Sequence, residues 1–313
     1  MAELHIKFQN KQYQKRSADD ITKAVLFVPT LLSASIVLLI IIFVAQRGIA
    51  PFIPSEYEEL AVDAILFLTG NTWFVSPNVY GVMFIVINTL IVVFGAMVLA
   101  IPVGVLSALF IVKMAPKIVG NLLSGAIELL AAVPSIVFGV FGLGIITKAV
   151  VGIASVFGTQ TAGGISTMST IIVLALMIFP TIAIMSITAI RAVDINLEKN
   201  SLALGASKMQ TWLNITLSSA KSGIFAGIIL GIGRAFGEAT AVSMVAGNAG
   251  SGPTFDLFAT TRTLTSTMLL GLKETTGLDY DIRFSVGLVL IVLILSFNLI
   301  LTRIKKRIGR YSV

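Results

Sequence analysis

The stretch GIGRAFGEATA, residues 231–241, decides between two folds. As a phosphate-cradling glycine loop it would need a β-strand before it and a helix after it, and hence an α/β nucleotide-binding domain. Its spacing is Gly-x-Gly-x-x-x-Gly rather than Gly-x-Gly-x-x-Gly, and it lies inside an apolar run over 222–246. A run of that length suits a helix crossing a bilayer, which takes about 20 residues. The segment is therefore read as a membrane helix that carries two charges, Arg234 and Glu238.

Outward from this segment the chain keeps the same character. Of its 313 residues, 56% are hydrophobic and 12% charged, where soluble domains carry roughly a quarter charged. Apolar runs predict an all-α polytopic membrane protein with six transmembrane helices, near 24–46, 82–112, 122–147, 169–190, 222–246 and 284–302. The first run follows a polar tail, 1–23. A cleaved leader would have a shorter apolar region and a small-residue cleavage site, so 24–46 is expected to be a retained helix. Pro102 in the long second run predicts a kink or tilt. The loop 47–81 holds Glu56, Glu58 and Glu59 and a short apolar piece, 61–68, expected at the membrane interface. The turn-rich GNAGSGPTF, 247–255, reads as a flexible connector. Residues 82–302 form the expected five-helix core, and 303–313 a basic tail.

Lysine and arginine gather on the cytoplasmic side of membrane proteins. With the N terminus in the cytoplasm, sixteen fall on that side and only Arg47, Lys148, Arg262, Lys273 and Arg283 on the other, leaving Arg234 within a span. Both termini and the loop 191–221 are thus expected to be cytoplasmic. The net charge of +7 reads as topology, and no nucleic-acid partner is expected. The absence of cysteine and the single histidine, His5, exclude a disulfide, a cysteine- or histidine-built metal site and a Ser-His-Asp triad within this chain. No metal or cofactor is expected. No Gly-x-x-x-x-Gly-Lys-Ser/Thr loop occurs, so any ATP that powers this system is hydrolysed by another chain.

An arginine at mid-bilayer costs at least ~2.5–3.5 kcal/mol on insertion scales and normally faces a bundle interior or an aqueous cavity. Within one helix Arg234 and Glu238 would stack on one face and pair. Gly231, Gly233 and Gly237 leave room beside them, and Gly233 with Gly237 would let another helix approach closely. A planar guanidinium that stays protonated can hold a tetrahedral oxyanion through two hydrogen bonds, with Glu238 moderating the grip so that the ion is released. The other reading is a structural ion pair between helices. Glu128 is a second acid inside an expected span, able to pair with Arg234 or to cap an interrupted helix, the structural role being favoured. Ser135 either donates to an anion or bonds back to its own helix.

In the cytoplasmic loop, Leu197, Leu202, Ala206, Met209 and Leu213 recur at near-helical spacing, interrupted by Gly205. This predicts a short amphipathic helix-turn-helix. Composition leaves two readings open: docking to a soluble partner, or a helix pair lying on the headgroups.

At this loop the chain resembles the permeases of ATP-binding-cassette importers, whose cytoplasmic loop runs Glu-Ala-Ala, then a glycine, then Ile-x-Leu-Pro. Gly205, Ile215 and Leu217 match. Lys199-Asn200-Ser201 stands in place of Glu-Ala-Ala, and Ser218 in place of the proline. Glu198, offset by one residue, does not restore the match. Segments 80–111, ELLAAVPSIVFGVFGL (128–143) and GIGRAFGEATAV (231–242) narrow the resemblance to the PstC-type permease subunit of phosphate importers. That resemblance implies a type I (MetI-like) permease fold in a prokaryotic cytoplasmic membrane and a non-catalytic role. It implies as partners a second, PstA-type permease, two PstB-type ATPase subunits and an extracytoplasmic phosphate-binding protein. It also implies a coupling helix, here built from Ser201, Gly205, Ala206, Lys208 and Trp212, that inserts into the ATPase. Competing readings are a permease for sulfate or molybdate, a gradient-driven secondary transporter, and a sensory scaffold.

Overall fold

A computed structural model describes residues 2–54, 62–75 and 78–310, with side chains placed between 22 and 305. Among these residues, six helical spans are long and apolar enough to cross a membrane: Thr22–Phe52, Met83–Met114, Ser135–Val156, Thr167–Arg191, Lys208–Gly237 and Leu278–Lys305. Helix α1, Ala2–Ile49, joins the expected polar tail and first span into one element. A short helix α2, Ala64–Thr69, follows, capped by the Asp63 carboxylate on the amides of Ile65 and Leu66. Helix α2 takes up 64–68 of the expected interfacial piece 61–68; Ala61, like Glu56, Glu58 and Glu59, lies outside the described residues. Next come paired two-residue strands, β1 Trp73–Phe74 and β2 Val79–Tyr80, a small antiparallel element not expected from the sequence.

Helix α3, Met83–Leu109, ends in a wide π-helical turn, Phe110–Met114. The third span differs from the expectation of 122–147. Val133 is extended and Pro134 cannot donate a backbone hydrogen bond, so the chain breaks there. Before the break lies α4, Lys117–Ala132; after it α5, Ser135–Phe141, runs through a π turn into α6, Thr147–Val156. Hydropathy averaged over 122–147 blurs the two pieces together. Lys148 consequently falls inside a span, exposed, rather than in an outer loop.

The centre of the bundle is α7, Thr167–Arg191, the most buried of the spans. Ser166 caps its start by accepting from the Ser169 amide. The loop 191–221 folds as α8, Ile195–Ala203, and α9, Lys208–Gln210, which passes through a third π turn, Thr211–Thr216, into α10, Leu217–Gly237. A short α11, Thr240–Val245, and α12, Leu264–Leu269, precede the last helix, α13, Leu278–Arg310. The final span begins six residues before the expected 284, which takes Arg283 out of the outer loop and buries it at 6% exposure.

One apolar core joins α3, α7 and α10 through Val92, Ala96, Ile171, Ile178, Ile182 and Phe236. Small residues set the spacing of α10 on α7. A Cβ added at Gly223 would lie 2.6 Å from the Ala189 Cβ, at Gly227 2.6 Å from the Met185 Cβ, and at Gly231 2.9 Å from Ile182. The seam is therefore Gly223-Gly227-Gly231, repeating every four residues along one helix face. This corrects the expectation that Gly233 and Gly237 form the packing pair: both face open space within this chain. Close backbone approach drives helix association where both solvent and core are apolar. Gly227→Leu is accordingly expected to overpack the seam by about 1–3 kcal/mol, lowering the thermal midpoint of the purified chain; Gly233→Ala, measured alongside, should not lower the midpoint, since alanine is the better helix former.

Helix α1 docks on α13 near its C-terminal end, where Phe43 meets Phe284 edge-on at 5.6 Å and Ser285 Oγ donates to the Gly48 carbonyl at 2.7 Å. Arg47 pairs there with Asp281 at 3.3 Å. Val25 to Leu39 present apolar side chains in all directions, a surface suited to lipid and to no aqueous setting. The segment 247–255, expected as a flexible connector, is pinned instead. Gly250 O accepts from the Trp73 amide at 2.7 Å, and the Gly252 amide donates to Asn71 O at 3.1 Å.

Candidate functional site: a broken helix and an apolar knob

Arg234 sits in the last turn of α10. Gly231, three residues earlier on the same side, lets α10 close on α7 at Ile182. Arg234 Nη1 then donates to Thr181 Oγ1 at 3.2 Å. Among the described residues no carboxylate lies within ion-pairing distance of Arg234. Its guanidinium is half-buried and held by a neutral hydroxyl.

Glu238 is not its partner. The expected span 222–246 is interrupted: α10 ends at Gly237, and Glu238 is extended, with φ −77° and ψ 116°. The four-residue spacing that would stack the two side chains holds only within one continuous helix, so the expected Arg234–Glu238 pair does not form. The Glu238 carboxylate turns forward and accepts from the Ala241 amide at 3.0 Å, supplying the start of α11 with an acceptor. Thr265 Oγ1 of α12 donates to the Glu238 carbonyl at 2.6 Å, satisfying a backbone oxygen that the break exposes.

Ser135 opens α5, directly after the other helix break. Gly139 lets α5 pack on α11, since a Cβ there would come 3.1 Å from the Ala241 Cα. The two interrupted segments thus lie together. Glu128 is elsewhere: it is exposed on α4, outside the spans, and forms no ion pair with Arg234. Of the four residues expected along a path, the fold places Arg234 and Glu238 on either side of one helix break and Ser135 on a helix packed beyond it. Glu128 stands apart.

Arg262, counted as an outer-loop charge, is half-buried and donates through Nη2 to the Asn248 carbonyl at 2.8 Å. Burial, and secondarily the like charge of Arg283, lower its pKa to about 10.

The loop 191–221 forms the expected helix-turn-helix. Asp194 caps α8 on the Asn196 amide at 2.9 Å. Gly205 has φ +87°, the left-handed conformation that ends many helices, and its amide donates to the Leu202 carbonyl at 3.0 Å. Ser207 and Gln210 then exchange bonds in a capping box that starts α9. The turn projects an apolar knob, with Leu204 90% exposed beside Leu202 and Met209. Gly205 and Lys208 are at this tip, and Ala206 is half-buried beside them. Ser201 faces inward to Thr211, with the hydroxyls 3.0 Å apart, and Trp212 packs on the core around Ile187 and Ile190.

Sequence reasoning missed Glu198. It is 6% exposed, pairs with Lys113 Nζ at 2.5 Å and accepts from Thr216 Oγ1 at 2.8 Å. The available signal was an acid at the spacing of the inward residue Ser201, in a helix whose outward positions are apolar.

Six apolar spans, the most buried of them at the centre of the bundle, define a polytopic membrane protein. A profile of the binding-protein-dependent transport system inner membrane component family matches residues 100–310, and the chain belongs to that family. Among relatives, the chain is 32% identical over 272 residues to a probable ABC transporter permease protein YqgH of Bacillus subtilis, covering 86% of this chain and 84% of that one. It is also 32% identical over 273 residues to the phosphate transport system permease protein PstC of Pasteurella multocida, covering 82% and 85%. Among solved structures, a bacterial alginate ABC transporter aligns with a TM-score of 0.63 at 18% identity, over 93% of this chain and 97% of that one. The MetNI methionine ABC transporter aligns at 0.51 and 20% identity, over 73% and 94%. The fold is that of the type I (MetI-like) ABC importer permeases, and the chain is a multi-pass protein of the cytoplasmic membrane.

Proposed function

We propose that this chain is the PstC-type permease subunit of an ATP-driven phosphate importer, with Arg234 as the fixed cation of its translocation path. The observation that supports the role of Arg234 most directly is the bonding of its guanidinium, held by the Thr181 hydroxyl and, among the described residues, by no carboxylate. A hydroxyl is an exchangeable partner, so a phosphate oxygen can take its place without pulling apart an ion pair. The planar fork offers two parallel donors to a tetrahedral oxyanion. Gly233 and Gly237 leave the adjoining face of α10 open in this chain, which suits a path completed by a second permease. Glu238 would keep the helix broken at that level and so fix where the guanidinium stands.

ABC importer permeases work with a further permease, ATPase chains and a binding protein. Here the proposed partners are a PstA-type permease, two PstB-type ATPases and an extracytoplasmic phosphate-binding protein. Both termini and the 191–221 loop would lie in the cytoplasm, with the Leu204 knob entering the ATPase. Selectivity is tested by ATP-dependent uptake of labelled phosphate into vesicles carrying the assembled complex. Uptake should persist in the presence of an about hundredfold excess of sulfate or molybdate; suppression to background by either would reassign the substrate.

A further inference from the structure

Two wide π turns converge on the buried Glu198. One, Phe110–Met114, ends the second span and contributes Lys113; the other, Thr211–Thr216, begins the fifth and contributes Thr216. The Glu198 and Lys113 side chains are only 8% and 15% exposed. Thr211, in the latter π turn, is fully buried and meets Ser201 of α8. Two neighbouring elements, the body of α8 and the approach to α10, thus meet a third that is distant in sequence, the end of α3, on one carboxylate.

By covalent connection alone, the loop reaches only α7, through Arg191, and α10, through Thr216. Lys113 adds α3, the third helix of the central core. A buried ion pair is a poor source of net stability, because desolvation offsets most of the attraction. Its attested use is to fix register, since the alternative arrangement leaves a charge buried and unpaired. π turns also commonly mark functional positions within helices.

We infer that the Lys113–Glu198 pair is a strut that makes α3 follow the cytoplasmic loop, so that displacement of α8 by the ATPase moves the second span together with the fourth and fifth. Glu198 and Lys113 are positioning residues: they touch neither ATP nor the transported ion. This inference rests on the reading of 191–221 as the coupling loop.

The test uses the assembled transporter in vesicles and reads phosphate moved per ATP hydrolysed, in preparations checked for bound ATPase. Glu198→Gln should keep the ATPase bound and hydrolysing while transport per ATP falls about tenfold or more. The neutral pair Lys113→Met with Glu198→Gln removes the unpaired charge and should remain uncoupled. The exchanged pair Lys113→Glu with Glu198→Lys should recover the ratio to within about threefold of the parent, as expected when a direct pair carries the coupling. A neutral pair that transports like the parent, or an exchanged pair no better than Glu198→Gln, would overturn the strut. Failure of the docking reading shows differently, as full ATPase binding and activity when the Gly205 turn is disrupted.

Discussion

Arg234→Gln is expected to lower phosphate uptake about a hundredfold or more while the complex still assembles and binds its ATPase. Glutamine keeps much of the length but loses the charge and the fork. Each charge-assisted hydrogen bond is worth about 1.5–3 kcal/mol, so losing two costs about 3–6 kcal/mol, or two to four orders of magnitude. Arg234→Lys, which retains a point charge without planar bidentate geometry, should fall between. Thr181→Val separates path from scaffold. If the hydroxyl only parks the guanidinium between ions, its loss should change uptake by no more than about threefold, because one neutral hydrogen bond is worth about 0.5–1.5 kcal/mol. A purely structural Arg234 would instead make Arg234→Gln and Thr181→Val equally destabilising, with uptake falling only in step with the amount of folded complex. Uptake by purified transporter alongside its thermal midpoint distinguishes the two.

The second large effect is expected at Gly205. Nothing lies within 4 Å of the place where its Cβ would be, so bulk alone is no obstacle. The constraint is φ +87°, which β-branched residues rarely adopt, and holding an L-residue in the left-handed region costs about 1–2 kcal/mol. Gly205→Val should therefore re-aim the turn between α8 and α9 and displace the Leu204 knob. Co-purification of the ATPase and ATP-driven uptake should both fall about tenfold or more, as expected when a recognition element loses its preorganised shape. Gly205→Asn is the control, because asparagine tolerates the left-handed region, and it should retain most of both. Equal losses in the two variants would point to a ligand that packs against the glycine itself.

Much of the fold was legible in the sequence because lipid imposes a simple rule: an apolar run of sufficient length is a helix. The errors fall where that rule carries no information. Hydropathy does not register a break that keeps its neighbours apolar, so Val133-Pro134 and Glu238 vanished into the runs 122–147 and 222–246. The Arg234–Glu238 pair failed for the same reason, since its spacing argument assumed a continuous helix. Gly223, Gly227 and Gly231 were overlooked in favour of the glycines nearest the charges; which face meets α7 depends on the rotation of α10, a tertiary property. The turn at Gly205 was readable because its signal is local, a glycine between two amphipathic segments. The pairing of Glu198 was not, because its partner Lys113 is 85 positions away in the chain and ion pairs across a fold leave no periodic trace.

The central claim is that the oxyanion passes Arg234. It is tested most directly by a structure of the assembled transporter, trapped in an ion-occluded state with phosphate or the heavier arsenate. The account predicts an oxyanion oxygen about 2.7–2.9 Å from the Arg234 guanidinium, with the bond to Thr181 released or shared. An occluded oxyanion bound elsewhere, with Arg234 still held on Thr181 alone, would contradict it.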